Sequence, residues 1–308
     1  MKTLNFKPFR QALLITALTL SIASCKKEGD LSENENPAEE PDEQMLVQAE
    51  ESTQASASFD DVQDISFLAA DDEDLATEEA AGRNSNEDVR IYAATFAELR
   101  LRIGHCATVT VVPNNNTYPK TVTIDFGDGC LCADGKFRKG AVIIHLTGPI
   151  RRSGSVMTIT LRDFFLNRAH VEGTKIVSNL SALGNIKFSI QVTGGALTFP
   201  NGRGYQYQCM KHIFQVEGGT TRVLRDDVYK IEGRSATSFN GGLTVTLDTD
   251  EALVKKVICP WISKGILKIK INNRLLFLNF SAPNNGHCDN KALLSWNNGN
   301  STRLITLP

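Results

Sequence analysis

With Cys25 set aside for the N-terminal segment, six of the seven cysteines remain, Cys106, Cys130, Cys132, Cys209, Cys259 and Cys288, with the residue type and the even number that disulfide chemistry needs. Where the compartment is oxidising, such a set is read as staples. The competing chemistry is zinc, since Cys130-x-Cys132, His105-Cys106 and His287-Cys288 offer soft ligands. Structural zinc sites, however, separate paired cysteines by two to four residues, and oxidation removes the thiolates they need. We therefore expect disulfides and no metal. Asp125, Asp128 and Asp134 crowd one region and could offer oxygen ligands to calcium, but the EF-hand spacing is absent and Asp beside Gly is what turns require. Paired carboxylates could hydrolyse glycosides. The only other acidic clusters of the second half are Asp226-Asp227 and Asp248-x-Asp250-Glu251, and neighbours in a strand point to opposite faces. There is no His-Glu-x-x-His, no Gly-x-Ser-x-Gly elbow and no phosphate loop. The five histidines show no ligand spacing. We expect no catalytic residues and no cofactor.

The elements that must carry these residues are strands. Val142, Ile144 and Leu146 alternate with Ile143, His145 and Thr147, and Leu267, Ile269 and Ile271 alternate with Lys268 and Lys270. Tyr205, Tyr207 and Cys209 share one face, as do Leu243, Val245 and Leu247. Period-two alternation with β-branched residues marks half-buried strands. Asp134-Gly135, Asn201-Gly202, Asn240-Gly241 and Asn298-Gly299 suit tight turns between them. The pattern predicts an all-β domain over 92–308, with antiparallel sheets in a sandwich or barrel and a short helical lead-in at 93–100.

Two stretches resemble each other. Cys106, the strand ending in Phe126 and Cys132 recur as Cys259, the strand ending in Phe280 and Cys288, at offsets of 153, 154 and 156 residues. An internal duplication, or two hairpins that each needed a staple, would produce this. The repeat suggests Cys259 with Cys288 and Cys106 with Cys130 or Cys132, leaving Cys209 for a third pair. Loops of this length would each contribute about 3 to 4 kcal/mol through chain entropy.

Charge divides the chain. Residues 26–91 hold 21 acidic and 4 basic residues, a net of −17, whereas 92–308 hold 26 basic and 14 acidic, a net of +12. The arm is rich in Glu, Asp, Ser and Ala, which favours a mostly disordered tether. Within it Phe59, Val62, Ile65, Phe67 and Leu68 recur at helical spacing, with Ser58 and Asp61 placed like a capping box, predicting a short helix over 58–70. A body at +12 should attract anions and lose that attraction as salt rises. Lys136, Arg138, Lys139, Arg151 and Arg152 are the candidate binding group. Anionic envelope glycans or lipopolysaccharide are the candidate ligands. Nothing resembles a nucleic-acid motif.

At the N-terminus, Lys2, Lys7 and Arg10 precede an apolar run from Ala12 to Ile22, then Ala23, Ser24 and Cys25. The run is too short to span a bilayer as a finished helix. This order resembles a bacterial lipoprotein signal with its lipobox. The resemblance implies a signal peptide over 1–24, lipid on Cys25 and a tether over 25–91. Bacterial lipoproteins usually carry three acyl chains, enough for stable anchoring. Lys26, rather than Asp, argues against inner-membrane retention by the enteric sorting rule, so the outer membrane is expected, at its periplasmic face or the cell surface. The body is similar to uncharacterised exported lipoproteins through Phe126-Gly-Asp-Gly-Cys130, Cys259-Pro-Trp261 and Gly286-His-Cys288-Asp-Asn290. No activity follows from that resemblance. The expected role is non-catalytic binding or envelope structure, and the alternative is a carbohydrate-active enzyme or glycan-binding accessory.

Overall fold

The computed structural model describes residues 41, 43–81, 96–221 and 223–307, with side chains in the first helix described to residue 75. The signal, Cys25 and the start of the arm lie outside these. Helix α1 spans Glu43–Ala81 and α2 spans Ala97–Ile103. Fourteen strands follow: β1 (Thr108–Val112), β2 (Lys120–Asp125), β3 (Cys130–Leu131), β4 (Phe137–Leu146), β5 (Val156–Leu166), β6 (Ala169–Asn179), β7 (Lys187–Thr198), β8 (Gly204–Glu217), β9 (Val228–Phe239), β10 (Thr244–Lys256), β11 (Lys264–Ile271), β12 (Arg274–Asn279), β13 (Lys291–Trp296) and β14 (Ser301–Thr306). They form one antiparallel sheet in sequence order, with β3 as a side branch on β4. The all-β antiparallel expectation is met by one long meander rather than two facing sheets. All four Gly-containing turn dipeptides lie in connections between paired strands.

The sheet bends along a line of register breaks in β4, β5, β6, β7 and β10. Such bulges curl a sheet and increase its twist. Gly173 on β6 shows why the bend needs glycine. Its φ is 124°, and an added Cβ would lie 2.7 Å from the Gly195 Cα on β7. Gly173→Ala is expected to destabilise the fold by about 2–3 kcal/mol, read as a lowered melting temperature. An unchanged melting temperature would show that the strands do not approach this closely.

The curl encloses α1. The helix touches β4, β5, β9, β10 and β11, and its side chains also reach β2, β8 and β14. Phe59, Val62, Ile65 and Leu68 are buried, and so are the polar Ser52, Thr53, Ser56, Asp61 and Ser66. Phe59 stacks on Tyr207 with ring centroids 4.7 Å apart, and Phe67 meets Phe188 edge-on at 5.1 Å. Three buried hydroxyls are satisfied within the helix itself, while Ser56 meets Lys211 of β8 and Ser52 Oγ finds no partner. Thr53 donates to the Ala49 carbonyl, Ser58 to Gln54 and Ser66 to Val62, at 2.9, 2.8 and 2.7 Å.

Two expectations therefore change. The helix over 58–70 is part of a 39-residue helix, because the sheet supplies partners for polar residues that alone would favour disorder. Ser58 and Asp61 are interior helix residues, not a cap. Residues 43–75 of the acidic arm fill the body rather than forming a tether, and the rest of the 25–91 segment lies outside the described side chains. The lead-in helix begins at Ala97, after residues 93–95, which are not described.

Two disulfides close, Cys106–Cys130 and Cys259–Cys288, with Cα separations of 5.5 and 5.7 Å. Each runs from cysteine through a hairpin, a Phe and a turn to the second cysteine, so the two stretches share a topology as well as a pattern. The third pair suggested by the cysteine count does not form. Cys132 and Cys209 are buried free thiols. Cys132 lies in the β3–β4 turn and Cys209 midway along β8, with β5, β6 and β7 intervening in the sheet.

Candidate functional site

Strand alternation places basic side chains where apolar ones would be expected. Lys120 shares its side of β2 with Val122 and Ile124, Lys175 its side of β6 with Val171 and Val177, and Lys211 lies between Cys209 and Ile213 on β8. Arg138 on β4 and Lys255 on β10 are buried as well. Acids of α1 meet all of them. The helix holds 12 acidic residues and no Lys or Arg, which balances the +12 of residues 92–308.

At the centre, Arg138 donates from Nε and Nη2 to both oxygens of Asp61 at 3.0 and 2.7 Å. It also donates to both oxygens of Asp134 at 2.9 and 2.7 Å. Lys136 Nζ lies 3.1 Å from the same Asp61. Next along the helix, Lys211 donates to Asp60 at 2.9 Å, and Lys175 lies 3.7 Å from Asp60 while donating to the Phe59 carbonyl at 2.7 Å. Asp64 Oδ2 sits 2.6 Å from Lys255 and 3.7 Å from Arg102, charge contacts without hydrogen-bond alignment. Toward the helix C-terminus, Asp71 pairs with Arg151, which also reaches Asp227 at 3.3 Å, and Glu73 pairs with Lys120. Toward its N-terminus, Glu43 and Glu50 pair with Arg303 on β14 and Glu51 with Arg203.

These contacts set the ionisation of the seam. Burial alone would raise the Asp61 carboxyl, but Arg138 and Lys136 outweigh it and hold the group far below the ordinary carboxylate range. Burial likewise works against the Asp60 carboxylate, and Lys211 and Lys175 prevail. Asp72 and Asp74 differ. Asp72 accepts backbone N–H groups of Leu99 and Glu98 at the start of α2, and Asp74 accepts the Tyr118 hydroxyl and the Ile150 N–H. Burial outweighs these bonds and raises each to about 6, with nearby Asp71 adding to the rise.

A pH dependence follows. Asp72 and Asp74 have folded values above the ordinary 3.8. Their stabilisation is complete below 3.8 and is lost as pH rises through about 6. Asp60 and Asp61 have depressed values, so theirs is present above 3.8 and lost as pH falls toward their folded values. Stability should therefore peak between about pH 4 and 6 and fall toward pH 8. The double variant D72N/D74N should flatten that fall. Melting temperatures across the range check this, and a steady rise from pH 4 to 8 would contradict it.

The surface-binding group suggested by sequence is largely consumed. Lys136, Arg138 and Arg151 are held by helix acids, and Lys139 lies over the Phe165 ring at 5.7 Å. Arg152 is exposed. The five do not converge on a ligand, because a basic side chain on an inward strand position serves the interior. Sequence reasoning missed Lys120, Lys175 and Lys211, although each stands in phase with apolar neighbours on its strand.

Several acids of the sequence clusters are held in local contacts. Asp227 accepts bonds from Gln215 and Tyr229 at 2.7 and 2.9 Å, while Asp226 turns to Thr221 at 2.9 Å. Asp125 accepts the Gly127 N–H and pairs with Arg162, and Asp248 pairs with Arg234. Among the described residues no group of three or more His, Cys, Asp or Glu is arranged to hold a metal ion. Beside α1 a cavity of about 60 Å³ is lined by Phe67, Leu68, Ile213, Tyr229, Arg102 and Lys255, room for a few water molecules.

No family model matches the chain, and neither the curated proteins nor the solved structures contain a match.

Proposed function

We propose that this chain is a non-catalytic, lipid-anchored envelope protein of the outer membrane whose β body is a structural or binding module. The observation that carries the structural side is the enclosed acidic helix. Its acids pair with ten of the 26 basic residues of 92–308, which lowers the charge left to draw polyanions. The anchor rests on the signal-like order ending at Cys25. Glu43, where α1 begins, is 18 residues beyond that cysteine. Even fully extended, that length holds the body within about 60 Å of its lipid.

Metabolic labelling with palmitate, followed by membrane fractionation, tests the anchor. The wild-type chain should carry label and sediment with outer membranes, and C25A should do neither. A wild-type chain released without label would end this reading. Anionic glycan binding is supported only by outward residues, Arg152 with Lys256, Lys264 and Lys270, all exposed. On that reading, charge reversal at these positions reduces lipopolysaccharide binding at low salt, while wild-type binding weakens as salt rises.

A further inference from the structure

Most acid–base contacts between α1 and the sheet are unsuited to covalent chemistry. Guanidinium partners do not condense with carboxylates under mild conditions, which sets aside the pairs made by Arg138, Arg151, Arg203 and Arg303. The lysine pairs are more instructive. Lys211 and Lys175 share Asp60, whose side chain is 26% exposed, and Lys255 faces Asp64, which is 17% exposed. Lys136 reaches Asp61, but both oxygens of that carboxylate are held by Arg138, which keeps it ionised and unreactive. Lys120 and Glu73 stand apart. Their side chains are 0% and 1% exposed, they are in direct contact, and they pair a primary amine with a carboxyl.

We propose that Lys120 and Glu73 are joined by an intramolecular amide bond linking β2 to α1. The Lys120 nitrogen adds to the Glu73 side-chain carbonyl carbon, forming the C–N bond. One carboxyl C–O bond then breaks, and that oxygen departs as water with two protons taken from the ammonium nitrogen. The reactants carry opposite charges and the products are neutral, so no oxidant, reductant or activating cofactor is required. Two physical effects favour it. Burying an ion pair away from water carries a desolvation penalty, which condensation removes together with both charges. A fixed contact also makes the step unimolecular, with effective molarities far above those in solution.

A further carboxyl is linked to the pair through Tyr118. Asp74 follows Glu73 and accepts the hydroxyl of Tyr118, and the Tyr118 ring centroid lies 5.1 Å from Lys120 Nζ. Asp74 is assigned the role of passing a proton from nitrogen to the departing oxygen. The bond would fasten the filling helix to the sheet, and it stands whether or not Cys25 carries lipid.

Intact mass of residues 26–308, measured after disulfide reduction, tests the proposal. The wild-type chain should be lighter than its sequence by one water, and digestion should release a branched peptide joining the α1 segment to the β2 segment. K120R keeps the cation but cannot condense, and should show the full mass. A wild-type chain at full mass overturns the proposal. So does a one-water deficit that persists in K120R, since it would then arise elsewhere, for example by ring closure at Asp128-Gly129 or Asp134-Gly135. D74N should gain the deficit more slowly after refolding, and an unchanged rate removes the role given to Asp74.

Discussion

Replacing Arg138 by Ala should destabilise the mature chain by about 3–5 kcal/mol, a fall of roughly 10 °C in melting temperature. Arg138 is fully buried and is the partner of two carboxylates, Asp61 and Asp134, whose side chains are 1% and 3% exposed. Truncation leaves both in the interior with only Lys136 nearby to offset them. The loss should therefore exceed what the missing hydrogen bonds alone would produce. Its origin can be separated by a second variant. R138M/D61N removes a charge from each side and should recover part of the lost stability, since replacing a buried ion pair as a unit is far less costly than breaking it. A double variant less stable than R138A would show that Asp61 is stabilised by something other than Arg138. Thermal melts of the three proteins at one pH decide the matter.

Removing α1 should have a still larger effect. A chain of residues 82–308 keeps every strand but loses Leu46, Phe59, Val62, Ile65 and Leu68 from the core. At about 1.5–3 kcal/mol for each buried side chain, these alone approach the whole stability of an ordinary domain. The shortened chain also leaves Lys120, Lys175, Lys211 and Lys255 on an inward face without their acids. The expected result is loss of near-ultraviolet circular dichroism and of cooperative unfolding. A synthetic helix of residues 43–81, added in trans, should restore both. A truncated chain that unfolds cooperatively without the peptide would show that the sheet builds its core unaided.

The strands were legible because alternation is local. Val142, Ile144 and Leu146 declare a buried face within five residues, and Asn201-Gly202 or Asn298-Gly299 declares the turn that pairs one strand with the next. The two hairpin staples were legible as a repeat, although spacing could not choose between Cys130 and Cys132. Only the 58–70 stretch of the long helix was legible, because outside it large apolar residues are few and the acids dominate. A segment such as Ala70-Asp71-Asp72-Glu73-Asp74 reads as solvated chain on every local measure. It is buried because Lys120, Arg151 and the start of α2 await it, and those lie from 26 to 80 residues away in sequence. The basic seam was partly legible. A lysine in phase with valine and isoleucine, as at Lys120, is costly unless an acid faces it. That parity is a sign of an internal anion which net charge does not reveal.

The most direct measurement is amide hydrogen exchange across residues 43–81 of the intact mature protein at neutral pH. A helix enclosed by the sheet should protect the amides of residues 52–74 to the level of the central strands, β6 to β9, and lose that protection only with global unfolding. Exchange of these amides within seconds, while the strands stay protected, would contradict an enclosed helix and make the acidic segment a tether after all.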